Sequence, residues 1–308
     1  MGKALVINGA DFSALKIDKV SIPRELNTTT LAWITASGND SLTEAQKTAL
    51  DDLVLALKAN NNSLMSKIKR LWLPMIAGSK ATSLYEYKNS ANSASSFDAT
   101  QLTRFENVGF VGGQGIYPIA GSIQALVVDA TFEGNTTDIS FFSLNALAYD
   151  PNLTDTALGI GCPSNVGGGQ FAFDVYIQSV GQSRIPRFTY PNTGTDTMNR
   201  YLDNQGNQGN RFAPLLRGVV SNSEGVKFFA SGAKFVQSSV ATDVHSVTES
   251  QFTGLSILRG EPSYFYTNGD TPIAMYVVAD GAITEDEAII LKGVSEALLT
   301  AMNPSTNV

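Results

Sequence analysis

The chain has 308 residues, of which 16% are charged, and its formal net charge is −7. An acidic chain of this kind lacks the basic face that nucleic-acid-binding proteins normally carry. Its single cysteine and single histidine exclude an intrachain disulfide and metal sites built from several His and Cys ligands. No cofactor is predicted.

The N-terminus is not typical of an export signal. The apolar run at residues 5–7 is too short for the core of a signal peptide. No apolar stretch approaches the ~18–20 residues of a membrane span, so no membrane insertion is predicted. We expect a protein that is made in a reducing cytoplasm and is not exported by the usual route.

Residues 1–40 are predicted to form an N-terminal arm. Their pattern favours a short strand before the Asn8-Gly9 turn and a second short strand at residues 31–34. About forty residues cannot bury enough apolar surface to fold alone. The arm must therefore pack on its own body or on a partner.

A helical hairpin is predicted at residues 41–78. Ser41 and Glu44 have the spacing of a capping box, and apolar residues then recur at helical intervals. The asparagines at 60–62 are predicted to end this first helix. A second helix is predicted over residues 64–72, stopped by the proline that follows.

Residues 79–308 are predicted to form a mainly β body. Short β-type runs are separated by turn residues and no helix intervenes, which indicates an antiparallel sandwich. The runs lie at residues 140–144, 170–177, 217–220, 226–230, 233–236, 255–258, 264–266 and 273–278. Thr284 and Glu287 form a second capping box, which predicts a closing helix over residues 285–302.

Several motifs resemble a known family. Residues 226–236 resemble the hairpin of concanavalin-like, laminin-G-type jelly rolls, and residues 273–288 resemble their last strand, acidic turn and closing helix. Segments within residues 42–113 are similar to fibre-type virion proteins of tailed phages. Residues 5–13 resemble the N-termini of gut-phage structural proteins, including the crAss-like group. The resemblance implies a virion protein, a head fibre or capsid decoration ahead of a tail fibre, with a concanavalin-like jelly roll.

No catalytic constellation is evident. A jelly-roll glycosidase needs two carboxylates that face each other across a cleft, about 5–10 Å apart. No predicted strand carries two acids at the spacing that would place them on one face, and no nucleophile signature accompanies His245. The sequence therefore predicts that the protein is not an enzyme.

A sugar site stays open as an alternative. The residues from Tyr190 to Asn210 are predicted to form an Asn- and Gln-rich loop, whose tyrosines offer rings for stacking and whose amides suit hydroxyl groups, although a solvated or interface loop would have the same composition. The candidate glycan-binding residues are Tyr190, Tyr201, Asn204 and Asn207. A host-glycan adhesin is the alternative to a structural fibre, and the two roles are compatible; a polysaccharide depolymerase ranks below both.

The arm is predicted to serve attachment and oligomerisation. The arm is too apolar for a disordered tail, so its side chains are expected to be buried. They could be buried on a partner, or the arm could form a strand that pairs with its own β body. The candidate interface residues are Leu5, Ile7, Phe12, Leu15 and Ile17. The expected partners are a second or third copy of the chain, other virion proteins and a host cell-surface glycan.

Overall fold

The computed structural model contains antiparallel β-sheets and helices. It describes residues 24–88, 108–118, 126–129, 139–146, 160–163, 171–180, 183–191, 198–202, 216–222, 225–231, 234–237, 255–257, 272–281 and 283–303. The α-helices in these ranges are α1 (Thr28–Ser37), α2 (Glu44–Lys67) and α3 (Glu285–Met302), and a short 3-10 helix covers Pro74–Ile76.

The described strands form two sheets, and every pairing between them is antiparallel. The eight-stranded sheet contains β1 (Ile68–Trp72), β2 (Val108–Val111), β3 (Gly115–Pro118), β5 (Ile139–Asn145), β10 (Leu216–Asn222), β11 (Gly225–Ser231), β12 (Lys234–Gln237) and β14 (Ile273–Asp280). The six-stranded sheet contains β4 (Leu126–Asp129), β6 (Ile160–Pro163), β7 (Phe171–Val180), β8 (Ser183–Pro191), β9 (Met198–Leu202) and β13 (Leu255–Ile257).

Strand β14 lies at the centre of the eight-stranded sheet. The order is β12-β11-β10-β5-β14-β3-β2, and β1 also pairs with β14. Thus β5 occupies one edge of β14, while β1 and β3 share the other. The side chains of residues 273–279 are all buried, so both faces of this strand are covered. The six-stranded sheet has the order β4-β13-β6-β7-β8-β9.

Most of the predicted strands are confirmed. The runs at 140–144, 170–177, 217–220, 255–258 and 273–278 coincide with β5, β7, β10, β13 and β14, apart from a residue or a few at their ends. The predicted hairpin at 226–236 is the β11–β12 pair, with Phe229 opposite Phe235. The run at 264–266 lies outside the described residues.

The strand predicted at residues 31–34 is wrong, because this segment belongs to helix α1. The Asn27 side chain caps the helix by accepting from the Thr29 N–H, and Gly38 ends it with φ of 61°. Thr30, Trp33 and Ser37 are buried at intervals of three and four residues, which is helical spacing. A four-residue apolar run cannot by itself distinguish the two structures.

The start and end predicted for the next helix also need correction. Thr43, not Ser41, caps α2, and Gln46 completes the capping box. The sequence contains two overlapping capping patterns, S-x-x-E from residue 41 and T-x-x-Q from residue 43, and the helix uses the second. The helix then continues through residues 60–62 to Lys67. Burial of Leu64 and Met65 in the core outweighs the weak helix propensity of the asparagines.

The second helix predicted at residues 64–72 is wrong, because residues 68–72 form strand β1. Arg70, Leu71 and Trp72 pair with Val278, Val277 and Tyr276 of β14. The free edge of β14 accepts this strand, a contact across about two hundred residues that a local pattern does not reveal. The helical pair is therefore α1 with α2, and α1 lies inside the predicted arm.

Helix α3 is confirmed with the predicted bounds and the predicted capping box between Thr284 and Glu287. It packs against α2, which in turn packs against α1. We call these three helices the helical layer. It shares one core with the eight-stranded sheet, and that core includes Leu53, Leu57, Phe142, Leu144, Phe229, Met275, Val277, Leu291 and Leu298.

Candidate functional site

A cluster of polar side chains holds the first described residues, from residue 24 onward, against helix α2. The Asp51 carboxylate on α2 accepts hydrogen bonds from the Thr30 hydroxyl at 2.6 Å and from the Asn27 N–H at 2.8 Å. The Arg24 guanidinium lies 2.9 Å from the same carboxylate and also contacts Asp52. We call Arg24, Asn27, Thr30 and Asp51 the entry clamp.

The buried carboxylate at the centre of the entry clamp is paired with donors. Asp51 is 1% exposed and lies among the buried leucines of α2. A carboxylate in that position requires paired charge and hydrogen bonds, and the clamp supplies three donors. The hydrogen bond to Asp52 is the main reason that the pKa of Arg24 is raised. The chain at residue 24 is thus held against α2.

A second polar junction joins α2 to α3. The Lys67 ammonium donates to both oxygens of Glu287, at 2.8 and 2.6 Å, and Glu287 also accepts from the Thr284 N–H. Partial burial favours the protonated acid, but the bonds from Lys67 and Thr284 and the charge of Lys67 outweigh it. The pKa of Glu287 is therefore lowered. Glu287 therefore binds a lysine in addition to interacting favourably with the helix dipole.

The loop predicted for the two candidate tyrosines is wrong, because both lie on neighbouring strands at the end of the six-stranded sheet. Tyr190 in β8 is paired with Asn199 in β9, and Tyr201 in β9 is paired with Phe188 in β8. The tyrosines are therefore diagonal neighbours in the β8–β9 ladder. An aromatic residue and an amide residue are thus paired at one register position. The ladder thus brings together the two residue types that a sugar site requires.

The other predicted site residues lie outside the described residues. These are Asn204 and Asn207 of the candidate glycan loop and Leu5, Ile7, Phe12, Leu15 and Ile17 of the arm. His245 also lies outside them, whereas Cys162 is in β6, opposite Phe173.

The sequence reasoning missed the residues of both junctions. Asp51 and Asp52 together interrupt an otherwise apolar stretch of α2, and acids in that position are a signal that one of them has a buried partner. The sequence predicts only the capping role of Glu287. Its bond to Lys67, 220 residues away, carries no local signal.

Within the described ranges, no group of three or more His, Cys, Asp or Glu side chains could hold a metal ion. No helix in the same ranges is long and apolar enough to cross a membrane.

No family model matches this sequence, and no curated protein matches it significantly. Among solved structures, the chain is similar to a Trypanosoma rangeli sialidase at 10% identity and a TM-score of 0.45, over 80% of this chain and 38% of that one. It is also similar to a leech intramolecular trans-sialidase at 16% identity and a TM-score of 0.35, over 51% of this chain and 23% of that one.

A third similar structure is the CBM40 of a Ruminococcus gnavus IT-sialidase bound to α2,3-sialyllactose, at 15% identity and a TM-score of 0.36, over 53% of this chain and 86% of that one. The chain spans less than two fifths of the length of the T. rangeli sialidase just described. At these identities and TM-scores, the similarities assign neither a family nor an activity.

The prediction that the protein is not an enzyme is nevertheless contradicted by this comparison and is withdrawn. The solved structures that the chain is similar to include sialidases and trans-sialidases, which are enzymes. Acids along single strands do not reveal two carboxylates contributed by different strands, so the sequence pattern does not exclude catalysis.

Proposed function

We propose that the protein is a structural subunit of a phage virion, a head fibre or capsid decoration ahead of a tail fibre. It attaches through residues 1–23 and projects its β body outward. The entry clamp is the observation that carries this proposal. It holds the chain at residue 24 against the helical layer, so a segment that precedes it has a defined point of departure.

The composition of residues 1–23 supports an attachment role. Residues 5–7 alone are Leu-Val-Ile, and the segment also contains Phe12, Leu15 and Ile17. Burying a large apolar side chain is worth about 1.5–3 kcal/mol, so a partner surface that covers several of them gains substantial affinity. The partners that fit are further copies of the chain, as a dimer or trimer, and other proteins of the particle.

The buried second face of β14 supports a concanavalin-like sandwich. Met275 and Val277 face the helical layer, whereas Tyr276 and Val278 alternate with them and are equally buried. A second layer must cover that face. In our proposal the six-stranded sheet is this layer, as in a jelly roll.

The test is a deletion that keeps the clamp. The variant lacking residues 1–23 retains Arg24 and all of α1, so it should unfold at the same temperature as the full chain. It should show a lower mass in light scattering and fail to join particles. A deletion variant that keeps its oligomeric state and still joins particles would contradict the proposal.

A matched pair of variants controls for the loss of length. Leu5→Ser with Ile7→Ser removes apolar contacts and should reproduce the deletion. Lys3→Ser with Lys16→Ser alters the same segment at polar positions and should assemble normally. Equal behaviour of the two pairs would show that the apolar side chains have no role in assembly.

A second candidate function is binding of a host-surface glycan by the β8–β9 ladder. The observation that favours it is the register of Tyr190 with Asn199, next to Tyr201. A tyrosine ring offers an apolar face and a hydroxyl group, and an amide donates and accepts hydrogen bonds, which together suit a sugar. This role is compatible with a fibre.

A glycan array that includes α2,3-sialyllactose tests this second function. Tyr190→Ala and Tyr201→Ala should each weaken binding at least about tenfold, a loss of about 1.4 kcal/mol. The control is Tyr176→Ala in the same sheet. Tyr176 is paired with Arg187, one position away from Phe188 and therefore on the opposite face from Tyr201, so this variant should bind as the parent does. Equal affinities for all three variants would reject the ladder as the site. Release of sugar from the probe, measured in the same samples, would identify a glycan-cleaving activity.

A further inference from the structure

One face of the six-stranded sheet carries a row of small and polar residues that crosses five strands. Ser256 of β13 is paired with Gly161 of β6, and Gly161 is paired with Asp174 of β7. Asp174 is paired in turn with Thr189 of β8, and Thr189 is paired with Arg200 of β9. Residues that are directly paired lie on the same face of a sheet. We call these five residues the cross-strand row.

A second arginine lies beside one end of this row. Arg187 is two residues before Thr189 in β8, so it is on the same face and is a diagonal neighbour of Arg200. Diagonal neighbours in an antiparallel ladder are about 7–8 Å apart, a distance that long side chains can bridge. On the other side of Arg187, its diagonal neighbour in β7 is Asp174.

The local charge of this face favours an anionic ligand. Arginine and aspartate side chains are almost never fully buried unless they are paired. The described residues of β7, β8 and β9 place two arginines and one aspartate on this face, so the aspartate can neutralise at most one arginine. The remaining positive charge attracts anions, although the chain as a whole has a net charge of −7. An anionic group is therefore expected to bind at the Arg187–Arg200 end of the row.

The length and the chemistry of the row define the class of ligand. Neighbouring strands are about 4.8 Å apart, so the steps from Ser256 to Arg200 across the strands add up to roughly 19 Å, which suits an extended chain. Hydroxyl and carboxylate groups, such as those of Thr189 and Asp174, form hydrogen bonds with the hydroxyl groups of sugars. Gly161 adds no side chain between them and Ser256. A guanidinium group binds carboxylates with two parallel hydrogen bonds.

We propose that this face binds an acidic polysaccharide laid across the strands, with its carboxylates at Arg187 and Arg200 and its hydroxyl groups along the rest of the row. The site is distinct from the one proposed on the β8–β9 ladder, because Tyr201 is paired with Phe188 and so lies on the opposite face from Arg187. A nucleic acid suits this face less well, since its phosphates recur at every nucleotide and would meet the acid at Asp174.

Affinity electrophoresis of the full chain in gels that contain polygalacturonate tests the proposal. Arg187→Gln and Arg200→Gln should each raise the dissociation constant at least about tenfold, because each removes charge-assisted hydrogen bonds. The matched control is Arg184→Gln, which removes the same charge from β8. Arg184 is paired with Ser179 and lies on the opposite face from Arg187, so this variant should bind as the unmodified chain does. Equal affinities for the three arginine variants would overturn the proposal.

Measurements on the unmodified chain decide the matter if an arginine variant fails to fold. Fully methyl-esterified polygalacturonate has the same backbone without the charge, and it should not retard the protein. Equal retardation by the two polymers, no retardation by either, or tighter binding of single-stranded DNA would overturn the proposal.

Tyr201→Ala separates this site from the β8–β9 ladder. It should leave the affinity for polygalacturonate unchanged, whatever its effect on the glycan array. Loss of polygalacturonate binding in Tyr201→Ala, with binding retained in Arg187→Gln, would place the ligand on the other face and overturn the proposal.

Discussion

The helical layer packs leucines and other apolar side chains against the eight-stranded sheet, whereas the β8–β9 ladder aligns Tyr190 with Asn199 and Tyr201 with Phe188. In the first region, polar contacts stabilise the helices that cover the core. These contacts are two capping boxes, the entry clamp and the Lys67–Glu287 bridge. The second region places aromatic and amide residues at the last strand of the described sheet order. The first region stabilises the fold, whereas the second carries the residues to which we assign glycan binding in our second proposal.

The largest expected effect is in the helical layer. Leu57 on α2 is 0% exposed and belongs to the shared core. Leu57→Ala should lower the free energy of unfolding by about 2–5 kcal/mol, because the deleted atoms leave a cavity. Leu55→Ala is the control on the same helix, since Leu55 is 39% exposed, and it should cost well under about 1 kcal/mol. Urea unfolding measures both, and equal losses would contradict the assigned packing.

The entry clamp gives the next effect, and neighbouring aspartates provide the comparison. The Asp51 side chain is 1% exposed and that of Asp52 is 55% exposed, although both contact Arg24. Asp51→Ala leaves the Thr30 hydroxyl and the Asn27 N–H without an acceptor, so it should cost about 2–4 kcal/mol. Asp52→Ala should cost no more than about 1 kcal/mol. A larger loss for Asp52 than for Asp51 would show that the clamp is wrongly placed.

The smallest effect concerns pH. Because the pKa of Glu287 is lowered in the folded chain, its contribution is fully present above the unfolded value of about 4.3 and is lost as the pH falls through the folded value. Glu287→Gln should therefore cost about 0.5–1 kcal/mol at pH 7 and less at pH 3. Asp286→Asn, which removes a charge from the same turn but leaves the bridge, is the control. Unfolding free energies at the two pH values measure the difference, and a cost for Glu287→Gln that does not shrink at pH 3 would argue against the bridge.

The parts of the fold that depend on neighbouring residues could be predicted from the sequence. Helix α3 has its capping residues, its acidic first turn and its apolar period within one segment, and its predicted bounds are correct. The strands β5, β7, β10, β11, β12, β13 and β14 follow from local β-type runs between turn residues. Each of these signals acts over a few residues.

The parts that depend on distant residues could not be predicted. Strand β1 forms because β14 offers an edge to residues 68–72, and α2 continues past residues 60–62 because the core covers Leu64 and Met65. For the candidate site, the register of Tyr190 with Asn199 required the β8–β9 pairing, which the composition of the loop did not indicate. The entry clamp required the fold of α1 on α2, although the acidic pair Asp51 and Asp52 within α2 is visible in the sequence.

A cryo-EM map of the intact phage particle tests the central claim most directly, namely that the helical layer and residues 1–23 form the attachment end. The account predicts density for this chain as a dimer or trimer, with α1 and α2 adjoining the particle and the β8–β9 ladder away from it. A particle that lacks the chain, or one in which the β8–β9 ladder forms the contact and α1 and α2 face outward, would contradict the account.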